Sequence, residues 1–198
     1  VKADSATEQI YIHYFRYAAD YTNWNIWVWQ DGPEPLEGAA FNMVQDDTSA
    51  DYNFGGMVVK ISVSDNFPDI TKIGFIVRLG EWAEKDIGSD RFADVPAETP
   101  DGIFHIYLVE GDARVGTFLN DPDGPDKNPK FKFAYFTDLT TIVFTATESL
   151  LADNIEVKAD DVAIAPSNIE IDGLEGTISL PEAMSFAKKY TIEATFVD

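Results

Sequence analysis

Apolar and polar residues alternate along most of this chain of 198 residues, and Gly, Pro, Asn and Asp interrupt the alternation every few residues. A period of two with frequent breaks is typical of short strands in β-sandwiches. Helical signal is confined to single turns within 149–153 and 181–188. The pattern predicts strands at 9–17, 24–30, 57–63, 72–78 and 103–110, and then at 130–136, 141–147, 155–158, 169–171, 176–180 and 190–197.

A boundary between two modules is predicted where the strand pattern stops. Residues 120–129 (NDPDGPDKNP) contain three prolines, a glycine and three aspartates, and such a stretch cannot continue a strand. We therefore expect a first β-sandwich module at 1–112, a linker at 113–128 and a second, smaller module at 129–198. The predicted fold class is all-β, with two immunoglobulin-like β-sandwich modules in tandem.

Charge and cysteine content restrict the partners and the chemistry. The formal net charge is −21, from 35 acidic and 14 basic residues, and a polyanion of this kind repels nucleic acid and anionic membranes. A neutral ligand such as a polysaccharide is unaffected. The absence of cysteine excludes disulfide scaffolds and thiol catalysis. No apolar run reaches the ~18 residues that span a bilayer and no signal segment opens the chain, so a trimmed, mature sequence is expected.

The segment 21–31 (YTNWNIWVWQD) holds three of the four tryptophans. Because side chains alternate along a strand, Trp24 should face the core, whereas Trp27 and Trp29 should share the other face, about 6.5 Å apart. Two exposed indoles form a flat apolar surface that fits the C–H faces of successive glucose units in an α-1,4 chain. If a loop covers this face, the two tryptophans are core residues instead.

The segment 80–92 follows a predicted strand and carries the fourth tryptophan. Loops on rigid scaffolds concentrate binding residues. Trp82 is a candidate for one side of a glucan groove, and Lys85 and Asp90 are candidate donor and acceptor for sugar hydroxyls. A plain solvated turn is the alternative for this charged segment.

Three blocks of the sequence, 10–17 (IYIHYFRY), 21–29 and 72–92, together resemble the family-41 carbohydrate-binding modules at the N-terminus of bacterial pullulanases. The resemblance covers roughly residues 8–112 and implies an immunoglobulin-like sandwich that binds α-1,4-glucan such as starch, glycogen and pullulan. It implies stacking by Trp27 and Trp29, a subsite completed by Trp82, and polar contacts from Lys85 and Asp90. The stretch 31–53 is longer and more acidic than the family pattern.

The second module is similar, more loosely, to the β-sandwich that links this module to the rest of a pullulanase. Residues 129–198 contain no tryptophan, so a spacer role is implied and no sugar site is transferred to them.

Catalysis, metals and cofactors find little support in the sequence. Pullulanase-type hydrolysis requires a (β/α)₈ barrel of about 250 residues, so no enzyme activity is expected. His13 and His105 both fall in predicted strands, where ordinary hydrogen bonds explain them. The aspartates of 121–126 do not have the spacing of an EF-hand loop, so no metal site is predicted, and no nucleotide-binding motif occurs.

The sequence therefore predicts non-catalytic binding of α-1,4-glucan, which targets a pullulanase-type enzyme to its substrate, without cofactors, nucleic acid or membrane. The C-terminal catalytic domain would lie outside this chain, and the expected location is extracellular or on the cell surface of a bacterium. The alternatives are a structural or adhesive surface module with no sugar site, and a module that binds protein through the aromatic patch.

Overall fold

The computed structural model describes residues 3–196 and divides the chain into two compact units, Val1–Lys127 and Asn128–Asp198. Strands, turns and loops make up nearly all of the described residues, which confirms the all-β prediction. The C-terminal end of the strand predicted at 190–197 includes Val197, which lies outside the described residues.

The first unit contains two large sheets that enclose its main core, and a small two-stranded sheet beside them. Its strands are β1 (Asp4–Ala6), β2 (Gln9–Phe15), β3 (Trp24–Gly32), β4 (Ala39–Asn42), β5 (Val44–Gln45), β6 (Met57–Ser62), β7 (Lys72–Leu79), β8 (Glu84–Lys85), β9 (Arg91–Asp94), β10 (Glu98–Pro100) and β11 (Ile103–Val109). One sheet has the order β11-β2-β6-β5 and the other β4-β3-β7-β8, with β9 also pairing with β7, while β1 pairs with β10. A single helical turn, α1 (Val63–Asn66), follows β6.

Period-two alternation places the core between these sheets. Ile10 and Ile12 of β2 pack in one cluster with Ile26 and Val28 of β3, and all four are fully buried. Burial of such side chains contributes roughly 1.5–3 kcal/mol each. The remaining faces of β3 and β2 therefore point away from this core, and each carries a different set of aromatic residues.

The outer face of the β11-β2 pair is covered by loops. Gly116 pairs with Tyr107 of β11 through two backbone hydrogen bonds, and the Lys127 ammonium donates to the carbonyl of Phe54. The segment predicted as a linker at 113–128 thus packs within the first unit as far as Lys127. Phe54 of the loop 46–56 and Leu119 of this segment pack with Tyr107 and Val109 of β11 in a second, smaller cluster.

Both histidines lie under these loops in one hydrogen-bonded chain. His13 Nδ1 lies 2.7 Å from the Asp46 carboxylate, and its Nε2 lies 2.9 Å from His105 Nδ1. His13 is fully buried, and the Tyr107 ring stacks on it at 4.6 Å. The sequence-based view that these histidines make structural hydrogen bonds agrees with this geometry.

Stability should depend on pH through His13. Burial lowers the pKa of His13 below its ordinary value of 6.5, although the hydrogen bond to Asp46 acts in the opposite direction. Below about pH 6.5 the unfolded chain therefore binds more protons at this residue than the native state, so the free energy of unfolding should fall as the pH drops. Denaturant titrations between about pH 7.5 and 5 should show a flatter pH dependence for His13→Gln than for the wild type, and equal slopes would contradict this.

The second unit is a smaller pair of sheets. Its strands are β12 (Phe131–Phe136), β13 (Thr141–Ala146), β14 (Ile155–Ala159), β15 (Val162–Ile164), β16 (Asn168–Asp172), β17 (Glu175–Ser179) and β18 (Tyr190–Ala194), with a 3₁₀ turn at Ala152–Asn154. The sheets have the orders β12-β13-β17-β16 and β15-β14-β18. Phe144 of β13 and Val157 of β14 belong to the core cluster that joins them.

The helical turn predicted at 181–188 is wrong. The structure has bends and turns there, because the amide of Met184 donates to the carbonyl of Leu139, in the loop between β12 and β13. The other predicted turn, at 149–153, overlaps the 3₁₀ turn at Ala152–Asn154.

Candidate functional site

The outer face of β3 carries two tryptophans, as its alternation predicts. Trp24 is 7% exposed and faces the core with Ile26 and Val28. Trp27 and Trp29 lie on the opposite face and are half-buried. Neither indole is fully exposed and neither is fully buried. The structure therefore lies between the two alternatives for these residues, an exposed binding surface and a buried core.

Trp27 forms one aromatic pair with the tryptophan of the following loop. Its ring centroid lies 5.6 Å from that of Trp82, at an interplanar angle of 56°. The indole also lies against the backbone at Gly38, where a Cβ atom would collide with the ring. Trp82 is 46% exposed. The pair therefore forms a bent aromatic surface that is open to solvent on the Trp82 side.

Arg78 of β7 fixes this pair. Its guanidinium carbon lies 4.6 Å from the Trp27 ring centroid and 4.2 Å from that of Trp82. Its Nε donates to the Asn25 side-chain oxygen at 2.9 Å, and the Asn25 amide donates to the carbonyl of Gly80. Arg78 is only 4% exposed. A buried guanidinium that contacts both rings restricts their rotamers before any ligand arrives.

Trp29 forms a second pair on the same face. Its indole lies flat on Gly74, its partner residue in β7, where a side chain would overlap the ring. Its centroid lies 5.7 Å from that of Phe92 at 89°, and Phe92 is 41% exposed. The predicted flat shelf of two indoles is therefore two aromatic pairs, because each indole packs against a neighbouring ring and a glycine.

The backbone at Trp82 is in the left-handed region, with φ of 79°. For a bulky residue this conformation is rare and costs of order 1–3 kcal/mol. The turn that imposes it is closed by the Ala83 amide, which donates to the carbonyl of Leu79 at 3.0 Å. Strained backbone of this kind clusters at ligand-binding loops.

Lys85 and Asp90 lie beside this pair. The Lys85 ammonium is 3.9 Å from the Asp90 carboxylate and 5.8 Å from the Trp82 ring centroid, and the two charged side chains are 40% and 44% exposed. The structure thus brings together Trp27, Trp82, Lys85 and Asp90, whereas Trp29 lies two residues further along β3 with its own aromatic partner.

A buried ion pair anchors the inner side of the loop that carries these residues. The Asp86 carboxylate accepts from the Arg91 guanidinium at 2.6 Å, and both side chains are 1% exposed. Asp86 also accepts from the Tyr14 hydroxyl and the Gly111 amide, each at 2.9 Å. Burial and the Asp86 charge raise the pKa of Tyr14, which therefore stays a hydrogen-bond donor. This network holds the segment between β7 and β9 against the core.

Sequence reasoning missed Arg78 and Phe92. The alternation of side chains along β7 places Arg78 on one face with Gly74 and Ile76, and this face is in register with the outer face of β3. Phe92 of β9 pairs with Gly74 on the other side of β7. The sequence does not show that β7 pairs with both β3 and β9. This pairing brings Arg78 and Phe92 next to the tryptophans.

Within residues 3–196, no group of three or more His, Cys, Asp or Glu is placed to hold a metal ion. Of the aspartates at 121–126, Asp121 accepts from the amides of Thr117 and Asp123, which gives it a role in the local turns. The helices of the described chain are all too short or too polar to cross a membrane.

Several solved structures are similar to this chain. Family-41 carbohydrate-binding modules from streptococcal virulence factors, described as recognising α-glucan, share 15% identity over 56% of this chain and 47% of theirs, with a TM-score of 0.38. A family-41 module from Eubacterium rectale shares 18% identity over 55% of this chain and 90% of its own, with a TM-score of 0.34. A multi-modular glycogen-degrading pneumococcal virulence factor shares 12% identity over 96% of this chain and 26% of its own, with a TM-score of 0.39. The chain spans about half the length of the streptococcal structure.

A family model gives the assignment. The model described as the bacterial pullanase-associated domain matches residues 8–117, which is more than half of the 198 residues. The matched range contains both large sheets of the first unit and the aromatic face of β3. The chain belongs to the bacterial pullanase-associated domain family.

Proposed function

We propose that the first unit binds α-1,4-glucan without catalysing a reaction, on the outer face of the sheet that contains β3 and β7. Trp27, Trp29 and Trp82 would contact the apolar faces of glucose units, and Lys85 and Asp90 would bond to sugar hydroxyls. Membership of a family associated with pullulan-degrading enzymes supports a neutral α-glucan as the ligand. The pairing of Trp27 with Trp82 over buried Arg78, with the exposed Lys85–Asp90 pair beside it, carries the proposal.

The geometry fits a bent polymer. Aromatic rings tilted by 56° offer two differently oriented surfaces, as a curved α-1,4 chain requires, whereas a coplanar pair would suit a flat chain. The apolar ring faces and the exposed ammonium and carboxylate supply stacking and hydroxyl partners respectively. Because Arg78, which is hydrogen-bonded to Asn25, already contacts both rings, little side-chain entropy is lost on binding.

Electrophoresis of the chain in gels with and without amylopectin tests the proposal, and isothermal titration calorimetry with maltotetraose gives the affinity. Retarded mobility and measurable heats are expected. Unchanged mobility together with no heat would favour the structural or adhesive alternative, in which the half-buried tryptophans only pack.

Lys85→Ala should weaken maltotetraose binding by about tenfold, because a hydrogen bond from a charged donor contributes roughly 1.5 kcal/mol. Its partner Asp90 is 44% exposed, so loss of this surface ion pair should change the free energy of unfolding by less than about 1 kcal/mol. Calorimetry and thermal denaturation check both numbers. Lys60→Ala, which removes a comparably exposed ammonium from the other sheet, is the matched control and should bind normally.

Trp82→Gly separates binding from folding. Glycine adopts positive φ without strain, so this variant should unfold at the wild-type temperature or slightly above it. The loss of a 46% exposed indole should nevertheless weaken maltotetraose binding by more than about tenfold. A variant that binds as tightly as the wild type would remove Trp82 from the site.

We also propose the setting in which such binding is useful. In this proposal the chain is part of an extracellular or cell-surface pullulanase-type enzyme of a bacterium, with the first unit, up to Lys127, as the binding module and the second unit, from Asn128, as a spacer. Linked binding would raise the local concentration of substrate at a catalytic domain C-terminal to this chain. Removal of 1–127 from such an enzyme should then reduce its activity on insoluble starch more than its activity on maltotetraose.

A further inference from the structure

The outer face of β3, β7 and β9 carries a second group of aromatic and charged side chains next to the tryptophan pair. Its members are Trp29, Asp31, Lys72 and Phe92, and together they are called the Lys72 cluster. Because a strand rises about 3.3 Å per residue, residues 27 and 31 lie roughly 13 Å apart along β3. The Lys72 cluster therefore extends the face beyond the tryptophan pair along the same strand.

Lys72 joins the charged and the aromatic parts of this cluster. Its ammonium lies 2.7 Å from the Asp31 carboxylate and 4.7 Å from the Phe92 ring centroid. The hydrogen bond to Asp31 raises the pKa of Lys72 above its ordinary value of 10.5, so the amine is charged at neutral pH. The cluster thus has a cationic donor and an anionic acceptor in contact beside a ring.

Both charged groups remain accessible to a ligand. The Lys72 side chain is 44% exposed and the Asp31 side chain is 30% exposed. An ammonium has three N–H donors and a carboxylate about four acceptor positions, so the bond between them uses only a part of each. A ligand at this surface can accept from Lys72 and donate to Asp31 while their ion pair stays intact.

The two rings supply an apolar surface beside these charges. The Trp29 indole lies on Gly74, where a Cβ atom would overlap the ring, so its other face points away from β7. The Phe92 ring stands at 89° to the indole and is 41% exposed. Contact with Gly74 fixes the height of the indole above the sheet before a ligand binds, which reduces the entropic cost of binding.

The Lys72 cluster contains the same kinds of group as the tryptophan pair and its charged neighbours. At the Trp82 end, two ring centroids lie 5.6 Å apart, an ammonium and a carboxylate lie 3.9 Å apart, and the ammonium is 5.8 Å from a ring centroid. In the Lys72 cluster these distances are 5.7, 2.7 and 4.7 Å. An adjacent donor and acceptor suit neighbouring hydroxyls of one sugar, and the rings suit its C–H face. Both ends therefore fit the same ligand.

The charges of the cluster favour a neutral ligand over an ion. Lys72 and Asp31 compensate each other, and Asp94 of β9 is the pairing partner of Lys72. An anion would be repelled by the two carboxylates, and a cation would be repelled by the ammonium. A neutral molecule with several hydroxyls meets neither cost.

We propose that the Lys72 cluster is a further glucose subsite, so that one α-1,4-glucan chain runs along the outer face of β3 from Trp27 to Asp31. This inference rests on the proposed function of that face. The rings contact apolar sugar faces, the ammonium donates to one hydroxyl and the carboxylate accepts from another. Short oligosaccharides occupy the Trp27 end, because buried Arg78 already contacts both of its rings. Only longer oligosaccharides reach Lys72, so the face selects for chain length.

Calorimetric titration of the whole chain with maltose and with maltohexaose tests this inference. Lys72→Met removes the ammonium and keeps an apolar stem beside Phe92. It should weaken maltohexaose binding by about tenfold, the usual effect of losing a hydrogen bond from a charged donor, and leave maltose binding unchanged. Lys60→Met, at an exposed lysine of the other sheet, is the control and should change neither affinity. NMR spectra should show shifts of the Phe92 ring protons with maltohexaose and none with maltose.

The outcomes separate this inference from the proposed function. Equal maltohexaose affinities of the wild type and Lys72→Met, with no shift at Phe92, overturn the subsite and leave the Trp27 end standing. A proportional loss of both affinities in Lys72→Met overturns the selection for chain length. Absence of binding of either oligosaccharide to the wild type overturns the proposed function, and the subsite with it. Thermal denaturation of each variant shows whether a change in affinity comes from a loss of fold, which would also count against the subsite.

Discussion

Trp27→Ala is expected to weaken maltotetraose binding by about 30-fold or more while the first unit remains folded. Aromatic hot-spot residues contribute at least ~2 kcal/mol to binding, which corresponds to that factor. The substitution removes one ring of the Trp27–Trp82 pair and one of the two ring contacts of the buried Arg78 guanidinium. Trp82 then loses the neighbour that sets its tilt, so the remaining indole should bind poorly as well.

Trp24→Ala is the matched control, since it removes the same side chain from the opposite face of β3. Trp24 is 7% exposed and lies under the Arg16 guanidinium, so truncation should cost about 3–5 kcal/mol of unfolding free energy. The half-buried Trp27 should cost less than half of that. Calorimetric titration and denaturant unfolding of both variants give the comparison. Equal destabilisation with unchanged binding would mean that both indoles serve only the fold.

Trp29→Ala addresses the second aromatic pair. The sequence treats Trp27 and Trp29 as equivalent, but in the structure Trp29 has Phe92 as its neighbour. If both pairs contact glucan, Trp29→Ala and Phe92→Ala should each weaken binding about tenfold or more. A loss confined to Trp27 and Trp82 would limit the site to one end of the face.

The alternation of side chains explains how much of this site could be predicted. A strict period of two decides which face each residue of β3 occupies, so the orientation of Trp24 relative to Trp27 follows from local sequence alone. The contacts of Trp27 do not, because they depend on β7 and the turn after it, where Trp82 adopts a positive φ. Local residue propensities do not predict that a tryptophan adopts a backbone conformation that favours glycine.

The loops that pack against β11 show that parts of the fold also depend on contacts that the local sequence does not predict. Residues 120–129 read as a linker because of their prolines and glycine, and locally they do form turns. Residues 120–127 belong to the first unit because of long-range contacts, such as those of Lys127 with the Phe54 carbonyl and with the Phe15 ring at 5.3 Å. The buried histidine chain is likewise non-local, since His13 and His105 are 92 positions apart.

Asp86→Ala should lower the free energy of unfolding of the first unit by about 3–5 kcal/mol, the usual cost of removing one partner of a buried ion pair. The Arg91 guanidinium, 1% exposed, would keep its bonds to backbone carbonyls but lose its counter-charge, and the Tyr14 hydroxyl and Gly111 amide would lose their acceptor. Asp90→Ala, four residues away at the surface, is the control and should cost less than about 1 kcal/mol.

Tryptophan fluorescence is the appropriate probe for this comparison, because all four tryptophans lie in the first unit and unfolding of residues 128–198 does not contribute. The double variant Asp86→Ala/Arg91→Met should recover part of the loss, since it leaves no uncompensated charge. If Asp86 also positions the loop, Asp86→Asn should weaken glucan binding under conditions where the protein is fully folded. Normal binding by folded Asp86→Asn would show that the strained turn at Trp82 and the contacts of Arg78 hold the site by themselves.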